Sequence, residues 1–145
     1  MASGFKFTDN SKKIKAQMDA AAFSGLESAA LIVEATAKAL APVGDSGELR
    51  DKIDHSITNT SDGPVAKVGS PLDYAMYVEY GTGEFAENGS GRKGGWSYQD
   101  AEGNWHHTNG MEPQPFLRPA FRRNKAKIQE AIGKEFKTKF GGGKG

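Results

Sequence analysis

The chain has 145 residues, no cysteine, three histidines and a formal net charge of +1, so one domain is expected, long enough to bury about 68–70% of its unfolded surface without a covalent staple. Without thiols there is no disulfide, no thiolate zinc site and no cysteine nucleophile. The opening MASGFKFTDNSKK lacks the apolar core of a signal peptide, and no apolar run is expected to reach the ~18 residues of a membrane span.

Ile14, Met18, Ala22, Leu26, Ala29, Val33 and Ala37 step by three or four, which predicts a helix over residues 10–41. Asn10 or Ser11 is placed to cap it, and Pro42 to end it. Gly25 predicts a kink or a close crossing within it. The apolar stripe reads as a core face rather than a dedicated partner surface. Beyond the turn-rich residues 41–47, Leu49, Ile53 and Ile57 lead a strand running to residue 60. Residues 61–64 form a turn, and residues 65–69 a second strand with Val65 and either Ala66 or Val68 facing inward. Pro71 opens a short helix on which Tyr74, Tyr77, Val78 and Gly81 share a face, with Gly81 at its end.

Residues 81–112 hold eight glycines, both tryptophans and two of the three histidines. Residues 84–95 read as a mobile loop. Trp96-Ser97-Tyr98 and Trp105-His106-His107 flank a Gly-Asn turn and read as a hairpin, making 84–110 a loop-and-hairpin insert. Pro113-Gln114-Pro115 gives an extended entry to one last helix over 115–140, striped by Leu117, Phe121, Ile128, Ile132, Phe136 and Phe140. Residues 1–9 form an N-terminal arm, and residues 141–145 a flexible Gly-rich tail. The expected fold class is α+β: long N-terminal and C-terminal helices packed on a small antiparallel sheet, with a short central helix between.

Charge is unevenly distributed. Residues 1–117 carry ten Lys/Arg against sixteen Asp/Glu, and residues 118–145 carry nine against two. An acidic body thus bears a basic C-terminal arm, suited to nucleic acid, an acidic neighbour or solvent.

Reactive constellations are thin. His106 and His107 are adjacent on a strand and point to opposite faces, with His55 far off in sequence, so no metal set is expected. The glycines at 81–95 miss the phosphate-loop pattern, because no Ser/Thr follows Lys93. Gly89-Ser90-Gly91 lacks the strand-to-helix context of a nucleophile elbow. Glu79 and Glu84 read as ordinary surface acids. No catalytic, cofactor-binding or metal-binding residue is assigned, no cofactor is expected, and an enzyme is not the expected class.

The more informative motifs concern contact and chain geometry. They are Ala41-Pro42, Ser46-Gly47-Glu48-Leu49-Arg50, Tyr74-Ala75-Met76-Tyr77-Val78-Glu79-Tyr80-Gly81-Thr82 and Pro113-Gln114-Pro115-Phe116-Leu117-Arg118-Pro119-Ala120, with the insert 94–110. In this order the chain resembles, over residues 10–140, the neck or tail-completion (head–tail joining, minor tail component) proteins of tailed bacteriophages. Asp45-Ser46 and the tail from residue 141 depart from that pattern. The resemblance implies a structural virion protein that completes the tail and joins it to the DNA-filled head. It implies a homo-oligomeric ring, six subunits in preference to twelve, assembled in the host bacterial cytoplasm. The implied partners are other neck, connector and tail proteins, with DNA only as passing cargo and no membrane. Tyr74, Tyr77, Val78, Glu79, Gly81, Thr82, Trp96, Trp105, Pro113, Pro115, Phe116 and Leu117 are the candidate subunit contacts. Arg118, Arg122, Arg123, Lys125 and Lys127 are candidates for a DNA channel or an acidic neighbour; Arg118, between Leu117 and Pro119, is alternatively a partner for an acid in the body. The rival class is a nucleic-acid-binding module that uses the basic C-terminal helix.

Overall fold

The long helix predicted at the N-terminus is α1, Ser11–Leu40. The computed structural model describes residues 10–44 and 46–140; the expected N-terminal arm, Asp45 and the Gly-rich tail lie outside the described residues. Asn10 takes the N-cap position, though its side chain makes no capping hydrogen bond. At the other end Ala41 turns extended ahead of Pro42, and its N–H still reaches the Ala37 carbonyl at 2.8 Å.

Leu49 departs from the sequence reading. It lies in a short helix, α2 (Glu48–Asp51), rather than in a strand. Leu49 and Ile53 are both buried, and their spacing of four is one helical turn, not a strand repeat. The strand β1 begins later, at Asp54–Thr60, and pairs antiparallel with β2, Gly63–Gly69. Ile57 faces Ala66 and His55 faces Val68 across the ladder. These residues form the half-buried face, and the sheet packs on α1. Val65 is on the opposite, exposed face, because a strand turns successive side chains to opposite sides.

A short helix, α3 (Ala75–Tyr80), follows, and then a 3-10 turn at Gly83–Phe85. The insert hairpin is present as β3 (Trp96–Gln99) and β4 (Trp105–Thr108), antiparallel and separate from the first sheet. The last helix is two: α4 (Leu117–Arg123) and α5 (Lys125–Phe140). The break falls at Asn124, whose buried side-chain amide donates to Thr36 Oγ1 on α1 and to the Ala120 carbonyl, both at 2.8 Å. Phe121 and Phe140, expected on the inward stripe, are exposed, while Leu117, Ile128, Ile132 and Phe136 are half-buried.

The core is one cluster of Val33, Ala37, Ala41, Leu49, Ile53, Ala75, Val78, Phe116 and Ala120, with Leu40, Val68, Leu72, Met111, Leu117 and Ile128 at its margin. From it α1 and α5 run on together. Thr36 meets Asn124 and Gly25 meets Ile132, so the two helices are antiparallel. A Cβ on Gly25 would stand 2.8 Å from the Ile132 Cα; of the two sequence alternatives, Gly25 marks a close crossing. Part of α1 is also long and apolar enough to cross a membrane, which corrects the expectation from composition. In this fold its Ala21, Gly25, Ala29, Ala30, Val33 and Ala37 are buried inside the protein.

Candidate functional site

The centre of the α3 region is a carboxylate. Glu79 sits on the inward face of α3 with Ala75 and Val78, and is only 3% exposed. Its Oε2 accepts the amide N–H of Phe116 (2.8 Å) and of Leu117 (3.0 Å), and its Oε1 accepts the amide of Arg118 (2.9 Å). These are among the amides that a helix leaves unpaired at its start, so Glu79 caps α4 from 37 to 39 positions away in sequence. Arg118 completes the latch. Its Nε donates to Glu79 Oε1 and its Nη2 to the Glu79 carbonyl, both at 2.9 Å, and Nη2 also pairs with Glu87 at 2.7 Å. The guanidinium lies over the Tyr80 ring, 4.5 Å from its centroid.

The electrostatics follow from these contacts. Burial pushes the Glu79 carboxyl up, but the Leu117, Arg118 and Phe116 amides and the Arg118 side chain outweigh it and hold the group below its ordinary value. Glu87 is lowered chiefly by its hydrogen bond from Arg118. Arg118 is raised in turn, by Glu87 first and Glu79 second. Glu79 is therefore no surface acid, and Arg118 is the structural partner that its place between Leu117 and Pro119 allowed.

What the latch holds outward is aromatic. Tyr74, Met76, Tyr77 and Tyr80 are exposed along α3, with Phe85 beyond it. Met76, Tyr77, Tyr80, Gly81, Thr82, Gly83 and Gly91 line a groove of about 560 Å³ that Arg92 borders. Gly81 ends α3 at φ 81°, and a Cβ there would come within 2.9 Å of the Pro113 ring. Gly83 (φ 61°) lies against the Asn109 and Gly110 backbone with no room for a side chain. Thr82 N–H donates to the Met111 carbonyl, Met111 N–H to Thr82 Oγ1, and Glu84 N–H to the Asn109 carbonyl, each at 2.9 Å. The insert thus leaves and re-enters the body at one point.

The sequence candidates divide accordingly. Val78, Glu79, Gly81 and Phe116 are buried and support the surface from within; Thr82, Trp96, Pro113 and Leu117 are half-buried; Tyr74, Tyr77, Trp105 and Pro115 are exposed. Arg122, Arg123, Lys125 and Lys127 are exposed and, among the described residues, make no ion pair. Met76 and Tyr80, not among the candidates, belong to the same exposed face. The sequence held no signal for them, because which three positions of this six-residue helix face inward is set by the core it meets.

Two histidine settings bear on metal chemistry. His106 Nε2 meets Asp100 Oδ2 at 2.8 Å and its ring stacks on Tyr98, while His107 is directed elsewhere. His55 Nδ1 meets Glu34 Oε2 at 2.9 Å, with Asp54 at 3.8 Å and Lys38 on the far Glu34 oxygen at 3.6 Å. Glu34, Asp54 and His55 are close enough together for a cation, a grouping that the sequence spacing did not suggest, and Glu34 also meets Lys38.

The fold and surface define a class: an α+β protein in which a buried carboxylate latch sets an exposed face of tyrosines and methionine. The family model HK97-gp10-like, described as "Bacteriophage HK97-gp10, putative tail-component", matches residues 5–81, and the chain belongs to that family, among bacteriophage tail components of the virion. Neither the curated proteins nor the solved structures provide a match. The matched span ends two residues past Glu79, so the latch ties it to the 116–118 segment beyond.

Proposed function

We propose that this tail component is a non-catalytic ring subunit that completes the tail and joins it to the DNA-filled head. The observation carrying this reading is the exposed α3 face, Tyr74, Met76, Tyr77 and Tyr80, in a chain of tail-component family. Contiguous exposed aromatic and methionine side chains mark a protein contact, and Glu79 fixes them from behind. Ring closure requires two different surfaces per subunit, which the exposed α3 face and the basic arm supply. The expected ring has six subunits rather than twelve, is assembled in the host cytoplasm, needs no cofactor or metal, and lets DNA pass. In this reading α1 is a core helix, since its span-length apolar stretch is shared with α5 and the sheet. The test is mass photometry of the purified protein with and without tail tubes, beside a head–tail joining assay. Wild type should form a closed oligomer, and Tyr77→Ala with Met76→Ser should lose joining while keeping its melting temperature. Normal joining by that variant would refute the reading.

A further inference from the structure

Two surfaces outside α3 are left uncovered by the described residues, and they are opposite in character. The first is the hairpin tip. Trp105 is 71% exposed, the highest among the large apolar side chains of the described residues. Beside it the turn is rigid: Asp100 Oδ1 accepts the Glu102 and Asn104 amides at 2.9 and 2.8 Å, Asp100 Oδ2 holds His106, and Gln99 Nε2 donates to the Gly103 carbonyl at 2.8 Å. The Glu102 carboxylate, on the outside of that turn, has no partner among the described residues.

The second is the far end of α5, a helix with no fully buried residue. Gly133, Phe136 and Phe140 form a shallow, open apolar face on α5, with Lys134, Lys137 and Glu130 around it. Phe136 and Phe140 stack at 6.1 Å between centroids. Neither lysine makes an ion pair within the described chain. Gly133 needs an explanation. A glycine inside an exposed helix costs about 1 kcal/mol against alanine. Gly25 has its reason in Ile132, but nothing stands within 4 Å of a Cβ built on Gly133.

We infer that the hairpin tip of one copy lays Trp105 on the apolar α5 face of the next copy, over Gly133 and against Phe136 and Phe140, with Glu102 facing Lys134 and Lys137. The inference rests on the ring reading and names its second contact. A second copy is the occupant because the charges match within this one sequence: an unpaired Glu102 at the tip of an aromatic hairpin, and the unpaired Lys134 and Lys137 beside the apolar α5 face. The contact joins two different patches, so it propagates around a ring. The pre-ordered turn keeps the ordering cost of docking low.

The chain's lack of cysteine makes a clean test. Glu102→Cys with Lys134→Cys in one chain, oxidised after assembly, should give a covalent ladder ending at the ring size, while either single cysteine gives none beyond a dimer. Trp105→Ala should raise the concentration for half-assembly about 30-fold, the scale of an aromatic hot spot, with an unchanged melting temperature. Glu102→Lys should weaken assembly, and adding Lys134→Glu and Lys137→Glu should restore it. A double-cysteine chain that forms the wild-type oligomer without a ladder, together with assembly indifferent to Trp105→Ala, would overturn this docking and leave the ring standing. A wild type that stays monomeric, even with tail tubes, would overturn both.

Discussion

Replacing Glu79 with glutamine keeps the shape of the side chain and removes its charge. The amide oxygen introduced by Glu79→Gln still accepts one or two donors, but the new NH2 group faces N–H groups. The native carboxylate serves three amides and the Arg118 Nε at 2.8 to 3.0 Å. Each buried donor left unmatched costs about 1–3 kcal/mol, and the two that the substitution strands cost about 3–5 kcal/mol together. The unfolding entropy of a chain this long gives about 0.3 kcal/mol per degree, so the melting temperature should fall by about 10–15 °C. The sign with pH is fixed. Glu79 is held below its ordinary 4.5, so the unfolded chain binds the proton first as pH falls. Its stabilisation is fully present above about pH 4.5 and is lost as pH falls through the lower folded value. The gap between wild type and Glu79→Gln should therefore be widest near neutrality and narrow below about pH 4.5. Circular-dichroism melts of both proteins across that range make the measurement. A loss under about 3 °C at neutral pH, or a gap that widens in acid, would refute the latch.

Four further outcomes are expected. The two helical glycines should respond in opposite directions in urea unfolding: Gly25→Ala should destabilise by about 1–3 kcal/mol through overpacking on Ile132, while Gly133→Ala should stabilise by up to about 1 kcal/mol. Asn124→Ala should cost about 1–2 kcal/mol by removing both amide bonds that tie the α4–α5 junction to α1. Limited trypsin digestion should cut first after Arg92 or Lys93, both in the glycine-rich segment, where Lys93 is exposed and Arg92 lies at the groove edge. Duplex DNA should bind weakly at physiological salt, with a log–log salt slope no steeper than about 3.6, because Arg118 is engaged internally and four nearby cations remain; submicromolar binding at that salt would favour the nucleic-acid reading.

The elements carried by strong local signals were legible in the sequence. The three- and four-residue step of α1, the stop at Pro42 and the turn-flanked hairpins all have short-range causes. Leu49 was misread because one apolar spacing of four fits a helical turn as well as a loose strand. The break at Asn124 was invisible because its cause is Thr36 on another helix. Glu79 shows the same limit: nothing beside it in sequence marks it as buried, since the amides it caps arrive from residues 116–118. Tyr74 and Tyr77 were picked out by type and Tyr80 was not, and the division of these side chains from Val78 and Phe116 depends on which face of α3 meets the core.

The insert between Gly83 and Gly110 is pinched at its base, where both glycines press backbone against backbone and three hydrogen bonds join the Thr82–Glu84 and Asn109–Met111 segments. Glu87 still reaches back to the Tyr80 carbonyl and to Arg118, but past it such a neck separates the rest of the insert from the folding of the body. Once the ends are pinned, each doubling of the enclosed loop costs only about 0.6 kcal/mol of closure entropy. The segment beyond the neck can therefore be lengthened, shortened or exchanged without rebuilding the core. The body would keep its architecture while the part that reaches outward is refitted to whatever surface it has to meet.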